Sequence, residues 1–307
     1  MLLAVVVPIF LLLASGYFTV KFKLLEQQQI VHIGAFVIKV ALPAMFLHSI
    51  AAKDLNEIWS FEFLAIYAGV SLMLFTLAFI LMSKHYAYAT NQSAILALGA
   101  AMSNSALIGT AVLTLLLGSK ALTYVSLTVI FESLILIPLV LILASSQGRG
   151  DHRLSIIKTT LCNLFKNPLF LAVMLGLACS MWQIKIPHYI DEVLAMLGQT
   201  ASPLALFAIG GGIVGLSARY INLQAVYLVV SSNLVMPLLV YLGLNYLTDV
   251  SREMVDAGTL IAALPMPSIF AMLGQLHGLN EKVLTPLLIS TVVGFMVTAG
   301  LIALWWS

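Results

Sequence analysis

Residues 257–278 read AGTLIAALPMPSIFAMLGQLHG. The stretch is apolar enough to cross a bilayer, yet Pro265 and Pro267 stand in its middle. Proline has no N–H, and its ring clashes with the carbonyl one turn back, which costs about 3 kcal/mol in a helix interior. Lipid offers no water to relieve that loss. The spacing therefore predicts a spanning helix that breaks near the bilayer midplane and leaves two half-helix ends there.

The rest of the chain is built for the same solvent. Of 307 residues, 62% are hydrophobic and 8% charged, and the mean hydropathy is +1.08. Soluble domains carry about 25% charged residues, so the composition describes an all-α polytopic membrane protein. The net charge of +2 gives no basis for binding nucleic acid. Cys162 and Cys179 are the only cysteines, both in apolar sequence around one helix, and they imply neither a disulfide framework nor a metal site. No nucleophile–base set, metal-ligand cluster or paired-Asp motif points to an enzyme.

A crossing needs roughly 20 apolar residues. Ten stretches qualify, at about 3–20, 30–52, 62–83, 92–117, 121–145, 165–184, 189–217, 222–247, 256–278 and 283–305. The first lacks a basic leader and a small-x-small cleavage site, so it reads as a retained helix. Basic residues in the loops set the orientation. With the N-terminus outside, Lys21, Lys23, Lys84, Arg149, Arg153, Lys158, Lys166, Arg219 and Lys282 fall on the cytoplasmic side. Lys53, Lys120, Lys185 and Arg252 fall on the other. Both termini are expected outside.

The halves resemble each other. Pro8, Phe10 and Gly16 recur 160 residues on as Pro168, Phe170 and Gly176, and Pro43 recurs as Pro203. A shift of 162 lays LGAAMSNS, residues 98–105, over LIAALPMP, residues 260–267. Two five-span repeats follow, at 1–145 and 165–307, joined by a cytoplasmic linker at 146–164. An odd number of spans per repeat inverts the second one, an arrangement typical of secondary transporters.

The repeat pairs the ninth span with the fourth, where Ser103, Asn104 and Ser105 sit mid-span and Gly109 follows. Polar residues there satisfy freed backbone groups or touch a ligand. Gly99 and Gly109 permit distortion and close crossing. The candidate binding residues are Ser103, Asn104, Ser105, Gly109, Pro265, Pro267 and Ser268. Half-helix N-termini at such a crossing would seat a carboxylate. Two readings stand for Lys39: it neutralises an anion, or it snorkels to the interface. Two also stand for Glu132: it couples transport to protons, or it pairs structurally with Lys39 or another group. His48 reads as an interfacial histidine, Asn233 as an interhelical hydrogen bonder, and Gly210-Gly211-Gly212 as a site of close packing.

The chain resembles the auxin efflux carrier family. Gly16 and Tyr17 at the end of the first helix, Leu42 and Pro43 in the second, AAMSNSALIGTAVL in the fourth and AALPMPSIFAMLG in the ninth carry the likeness. The resemblance implies ten helices in two inverted repeats, with helices 4 and 9 unwound and crossed at the substrate. Such a fold is related to those of bile-acid symporters and sodium/proton antiporters. It further implies a scaffold of helices 1, 2, 6 and 7, a moving domain of helices 3–5 and 8–10, and substrate contacts from Asn104 and Pro265. A homodimer through the scaffold fits the same pattern. Thr110-Ala111 replaces a common proline after Gly109, which predicts a gentler break in helix 4. The long cytoplasmic loop of plant auxin carriers is absent, and bacterial members are associated with malate and malonate.

The expectation is a secondary transporter of a small mono- or dicarboxylate in a bacterial inner membrane, working by elevator-type alternating access. It needs no cofactor, and H+ or Na+ would supply any coupling. A sodium/proton antiporter or sodium-coupled symporter of the same fold is the alternative, as is a receptor without transport. Against the antiporter, no Asp or Glu occurs within 92–117 or 257–278.

Overall fold

Broken helices can sit in lipid only if neighbours repair them, so the packing around the breaks is the part of the fold that matters. The structure is a computed structural model that describes residues 2–51, 60–144, 166, 168–212, 214 and 221–305. Every regular element among them is helical. The chain runs through α1 (Leu2–Lys21), α2 (Gln27–Ala51), α3 (Phe61–His85) and α4 (Thr90–Ala101). A π turn, Ser105–Gly109, then opens α5 (Thr110–Leu117), followed by α6 (Ala121–Ala144), α7 (Pro168–Met181) and α8 (His188–Gly212). The last four are α9 (Leu223–Leu247), α10 (Arg252–Ala263), α11 (Ser268–Leu276) and α12 (Asn280–Trp305).

Seven segments among the described residues are long and apolar enough to cross a membrane: α2, α3, α4 with α5, α6, α8, α9 and most of α12. Helix α1, helix α7 and the α10–α11 pair lie in the three remaining stretches expected to cross. Large apolar side chains such as Leu77, Leu175, Leu238, Met296 and Leu304 face outward, as a lipid-embedded surface requires. The expected linker, together with Lys53, Arg149, Arg153, Lys158, Cys162 and Arg219, lies outside the described residues. Cys179 is a free thiol.

Glycine sets how closely one group of helices packs. Helix α1 lies along the second half of α8, α7 along the second half of α2, and α8 against α2. A Cβ on Gly16 would overlap the Phe207 carbonyl oxygen, and one on Gly210 would overlap that of Leu13. The two helices thus touch backbone to backbone, which only glycine allows. Gly176, 160 residues after Gly16, packs on Ile50, whose Cβ would lie 2.9 Å from an added Cβ. Gly211 meets the Ile30 side chain, whereas a Cβ on Gly212 would meet nothing. Close packing therefore accounts for two of the three consecutive glycines.

A second set of contacts joins α3 to α4, α9 to α10, α3 to α9, and α12 to both α9 and α11. The N-caps of α3 and α9 are Ser60, which accepts from Phe63 N, and Asn222, which accepts from Ala225 N. They stand 162 residues apart, the offset already read between 98–105 and 260–267. Each satisfies one of the amides that a helix start leaves open.

The glycine contacts make a direct prediction. Gly16→Ala and Gly210→Ala should each lower stability by about 1–3 kcal/mol or more through overpacking. Gly69→Ala, where an added Cβ meets open space, should be neutral or stabilising by helix propensity. Melting temperatures of the three purified variants would test the contrast.

Candidate functional site

The two breaks meet. Helix α4 ends at Ala101, Met102 turns extended at φ −131° and ψ 135°, and Asn104 sits at φ −82° and ψ 60° before the π turn. Helix α10 ends at Ala263, and Leu264 turns extended at φ −61° and ψ 156°. Residues 264–267 then run without helix to α11. The Asn104 N–H donates to the Pro265 carbonyl at 2.8 Å, so each unwound segment supports the other. The first break takes residues 102–104 out of helix, one fewer than 264–267 at the second, and it lies ahead of Gly109. Gly109 instead packs against Leu264, 3.1 Å from where its Cβ would be.

Freed backbone groups in lipid need donors, and the flanking helices provide them. Ser71 on α3 donates its hydroxyl to the Ala101 carbonyl at 2.6 Å. Asn233 on α9 donates its amide to the Ala263 and Leu264 carbonyls at 3.2 and 3.1 Å. Ser71 and Asn233 are 162 apart, and so are Ala101 and Ala263. Ser290 on α12 accepts from Met266 N at 2.9 Å. Gly294, one turn on, leaves α12 close to the break: a Cβ there would lie 2.8 Å from Pro265 N. Asn233 is thus the interhelical hydrogen bonder its sequence position suggested.

Two cavities border the crossing. The larger, about 490 Å³, is lined by Lys39, Asn104, Pro265, Gln27 and Thr291 among mostly apolar side chains. The smaller, about 200 Å³, is lined by Ser103, Asn104, Ser105, Glu132, Ser133 and Pro267. Asn104 borders both. It is 8% exposed, and its carboxamide has no hydrogen-bond partner among the described residues. Lys39 lies in a π turn of α2, Val37–Ala41, and has no acidic partner among the described residues. Glu132 opens a π turn of α6, Glu132–Leu136. Such turns widen a helix locally and recur at functional sites.

The structure separates Lys39 from Glu132. Both oxygens of Glu132, which is 3% exposed, accept from hydroxyls: Oε1 from Tyr67 at 3.4 Å and Oε2 from Ser105. Tyr67 also reaches the Ser103 hydroxyl at 3.2 Å. The pairing of Glu132 with Lys39 that the sequence allowed is therefore replaced by hydroxyl partners. Ser103, Asn104, Ser105, Pro265 and Pro267 all come together at the crossing. Ser268 begins α11, and its side chain lies outside what the structure describes. His48 binds Asp191 at 2.6 Å across α2 and α8, apart from both cavities.

Tyr67, Ser71, Ser290, Gln27 and Thr291 were not foreseen. The 162-residue shift that pairs Ala101 with Ala263 would have pointed from Asn233 to Ser71. For Tyr67 and Ser290 the sequence holds no comparable signal.

Removing the repairs should cost stability in proportion to the carbonyls exposed. Asn233→Leu orphans two buried acceptors and Ser71→Ala one, at about 1–3 kcal/mol each. The Asn233 variant should melt lower than the Ser71 variant, and both below the parent protein.

Residues 1–303 match the family described as "Membrane transport protein". The chain is also 24% identical over 305 residues to a protein of Rhizobium meliloti (strain 1021) named "Putative malonate transporter", covering 97% of this chain and 94% of that one. With a multi-pass apolar helical body and two helix breaks that meet, the chain belongs to the membrane transport protein family, that of the auxin efflux carriers, and is a transporter and not an enzyme.

Proposed function

We propose that the protein is a secondary active transporter of a small organic anion, a mono- or dicarboxylate, bound in the larger cavity. The observation that carries this reading is the pairing of Lys39 with the unpartnered Asn104 carboxamide on one wall-to-wall space at the crossing. A cation with no acid beside it attracts an anion, and an amide that opens on the cavity supplies hydrogen bonds that orient it. The helix restarting at Ser105 adds its first N–H groups and the positive end of its dipole. A volume of about 490 Å³ lies within the range of small-molecule pockets, about 300–1,000 Å³. The similar protein's name, a malonate transporter, agrees with a short dicarboxylate.

In this reading the fold is a pair of inverted five-helix repeats, 1–145 and 165–307, whose fourth and ninth spans cross at the substrate. Helices α1, α2, α7 and α8 form the scaffold and the remaining helices the moving body, in keeping with the two sets of packing contacts. The larger cavity lies between them, with Lys39 from one side and Asn104 and Pro265 from the other. Sliding one body past the other would carry the anion across the bilayer, the elevator mode of alternating access. The protein sits in the bacterial inner membrane with both termini outside, and its scaffold is free to form a homodimer.

The sodium/proton antiporter reading loses ground because no carboxylate projects from the crossing stretches themselves. A receptor reading has no observation in its favour.

Proteoliposome uptake of radiolabelled malonate and malate tests the proposal. Lys39→Met should raise KM roughly 10- to 100-fold, the range for losing a hydrogen bond to a charged group. Asn104→Ala should abolish uptake while leaving the melting temperature near that of the parent. Normal uptake by the Asn104 variant, or binding of anions without any uptake, would overturn it.

A further inference from the structure

The two breaks are related by 162 residues, but their carbonyls are not equally satisfied. At the second break, Asn233 covers both the Ala263 and Leu264 carbonyls, and Pro265 O accepts from Asn104 N. At the first break, Ser71 has one hydroxyl proton and covers Ala101 O alone. The counterparts of Leu264 and Pro265 are Met102 and Ser103. Among the described residues neither of their carbonyls receives a hydrogen bond. Buried carbonyls without donors are uncommon and need an occupant.

Beside them stands Glu132, where the same shift puts Gly294 in the second half. Gly294 lets α12 close tightly on its break, whereas the first break keeps a cavity of about 200 Å³ with a carboxyl group in its wall. Tyr67 and Ser105 occupy one lone-pair site on each carboxyl oxygen. A carboxylate offers about four such sites, so two remain. No Lys, Arg or His pairs with Glu132 among the described residues. Burying a carboxylate in this way demands either a proton or a cation.

The surrounding atoms decide between them. A proton would answer the carboxylate and leave the two carbonyls orphaned. A small cation answers all three. The C-terminal end of α4, negative by its dipole, points into the same place. We infer that the smaller cavity is a Na+ site formed by the Glu132 carboxylate, the Met102 and Ser103 carbonyl oxygens and the Ser103 hydroxyl. Every donor in that set is oxygen, as hard cations prefer. Asn104 borders both cavities, so the ion and the anion sit on opposite faces of one residue. That Na+ drives the anion rests on the transport reading above; that Na+ binds here does not.

The test separates the two. Melting temperatures of the purified protein are measured without substrate at constant ionic strength in NaCl, KCl or choline chloride, each at a neutral and an acidic pH. Na+ should raise the melting temperature saturably, and K+ and choline should not. Glu132→Gln should abolish the shift. Ser103→Ala, which keeps the carboxylate, should move the half-maximal Na+ concentration up by about tenfold or more, as loss of a metal-site group commonly does. Equal effects of all three salts, or stabilisation that follows acidification and ignores Na+, overturn the Na+ site. A Na+-specific shift lost in Glu132→Gln, in a protein that transports no carboxylate, upholds the site and refutes the transport reading instead. Carboxylate uptake that is indifferent to Na+, with no thermal shift, does the reverse.

Discussion

Everything at the centre of this protein follows from one constraint: a peptide group in hydrocarbon must find a partner in the protein itself. Two spans stop being helical in mid-chain, and each stop releases carbonyls and N–H groups that a helix would have paired. Ser71, Asn233, Ser290 and the bond from Asn104 N to Pro265 O are the answers to that release. Gly294 exists to let one of the answering helices come near enough. Several of the buried polar residues, Ser71, Asn233 and Ser290 among them, are spent on the breaks.

The same accounting divides the crossing by charge. One face carries a lysine without an acid, the other a carboxyl group without a base, and Asn104 stands between them with its own amide unused. Lys39 and Glu132 each sit on a π turn, of α2 and of α6 respectively. The lysine and the carboxyl group are kept apart instead of forming a single ion pair that would neutralise itself.

The prolines at 265 and 267 were enough to locate the ninth-span break, because two so close together remove two donors and clash with two carbonyls within one turn. The first break contains no proline and was found by the 162-residue match and by Ser-Asn-Ser in apolar surroundings. Its position was less legible, because Gly109 marks flexibility whereas the helix departs earlier, at Met102. Which hydroxyl meets Glu132 was not legible. Tyr67 and Glu132 are 65 residues apart on different helices, and periodicity along one helix says which face a residue occupies, not which helix that face meets. Ser290 escaped for the same reason. The glycine contacts were half legible: a run of three suggested proximity, but only the packing of α1 on α8 tells that the partner is bare backbone.

The bond from Asn104 N to Pro265 O has a consequence for how this sequence can change. It joins a donor in one half of the chain to an acceptor in the other, and both are main-chain atoms, which no substitution short of a proline at 104 removes. Side chains that shift either segment by even one hydrogen-bond length would orphan a group on the opposite half as well. The two halves, however far their outer helices diverge, are therefore tied at this point into joint descent: drift in one break is tolerated only when the other drifts to meet it.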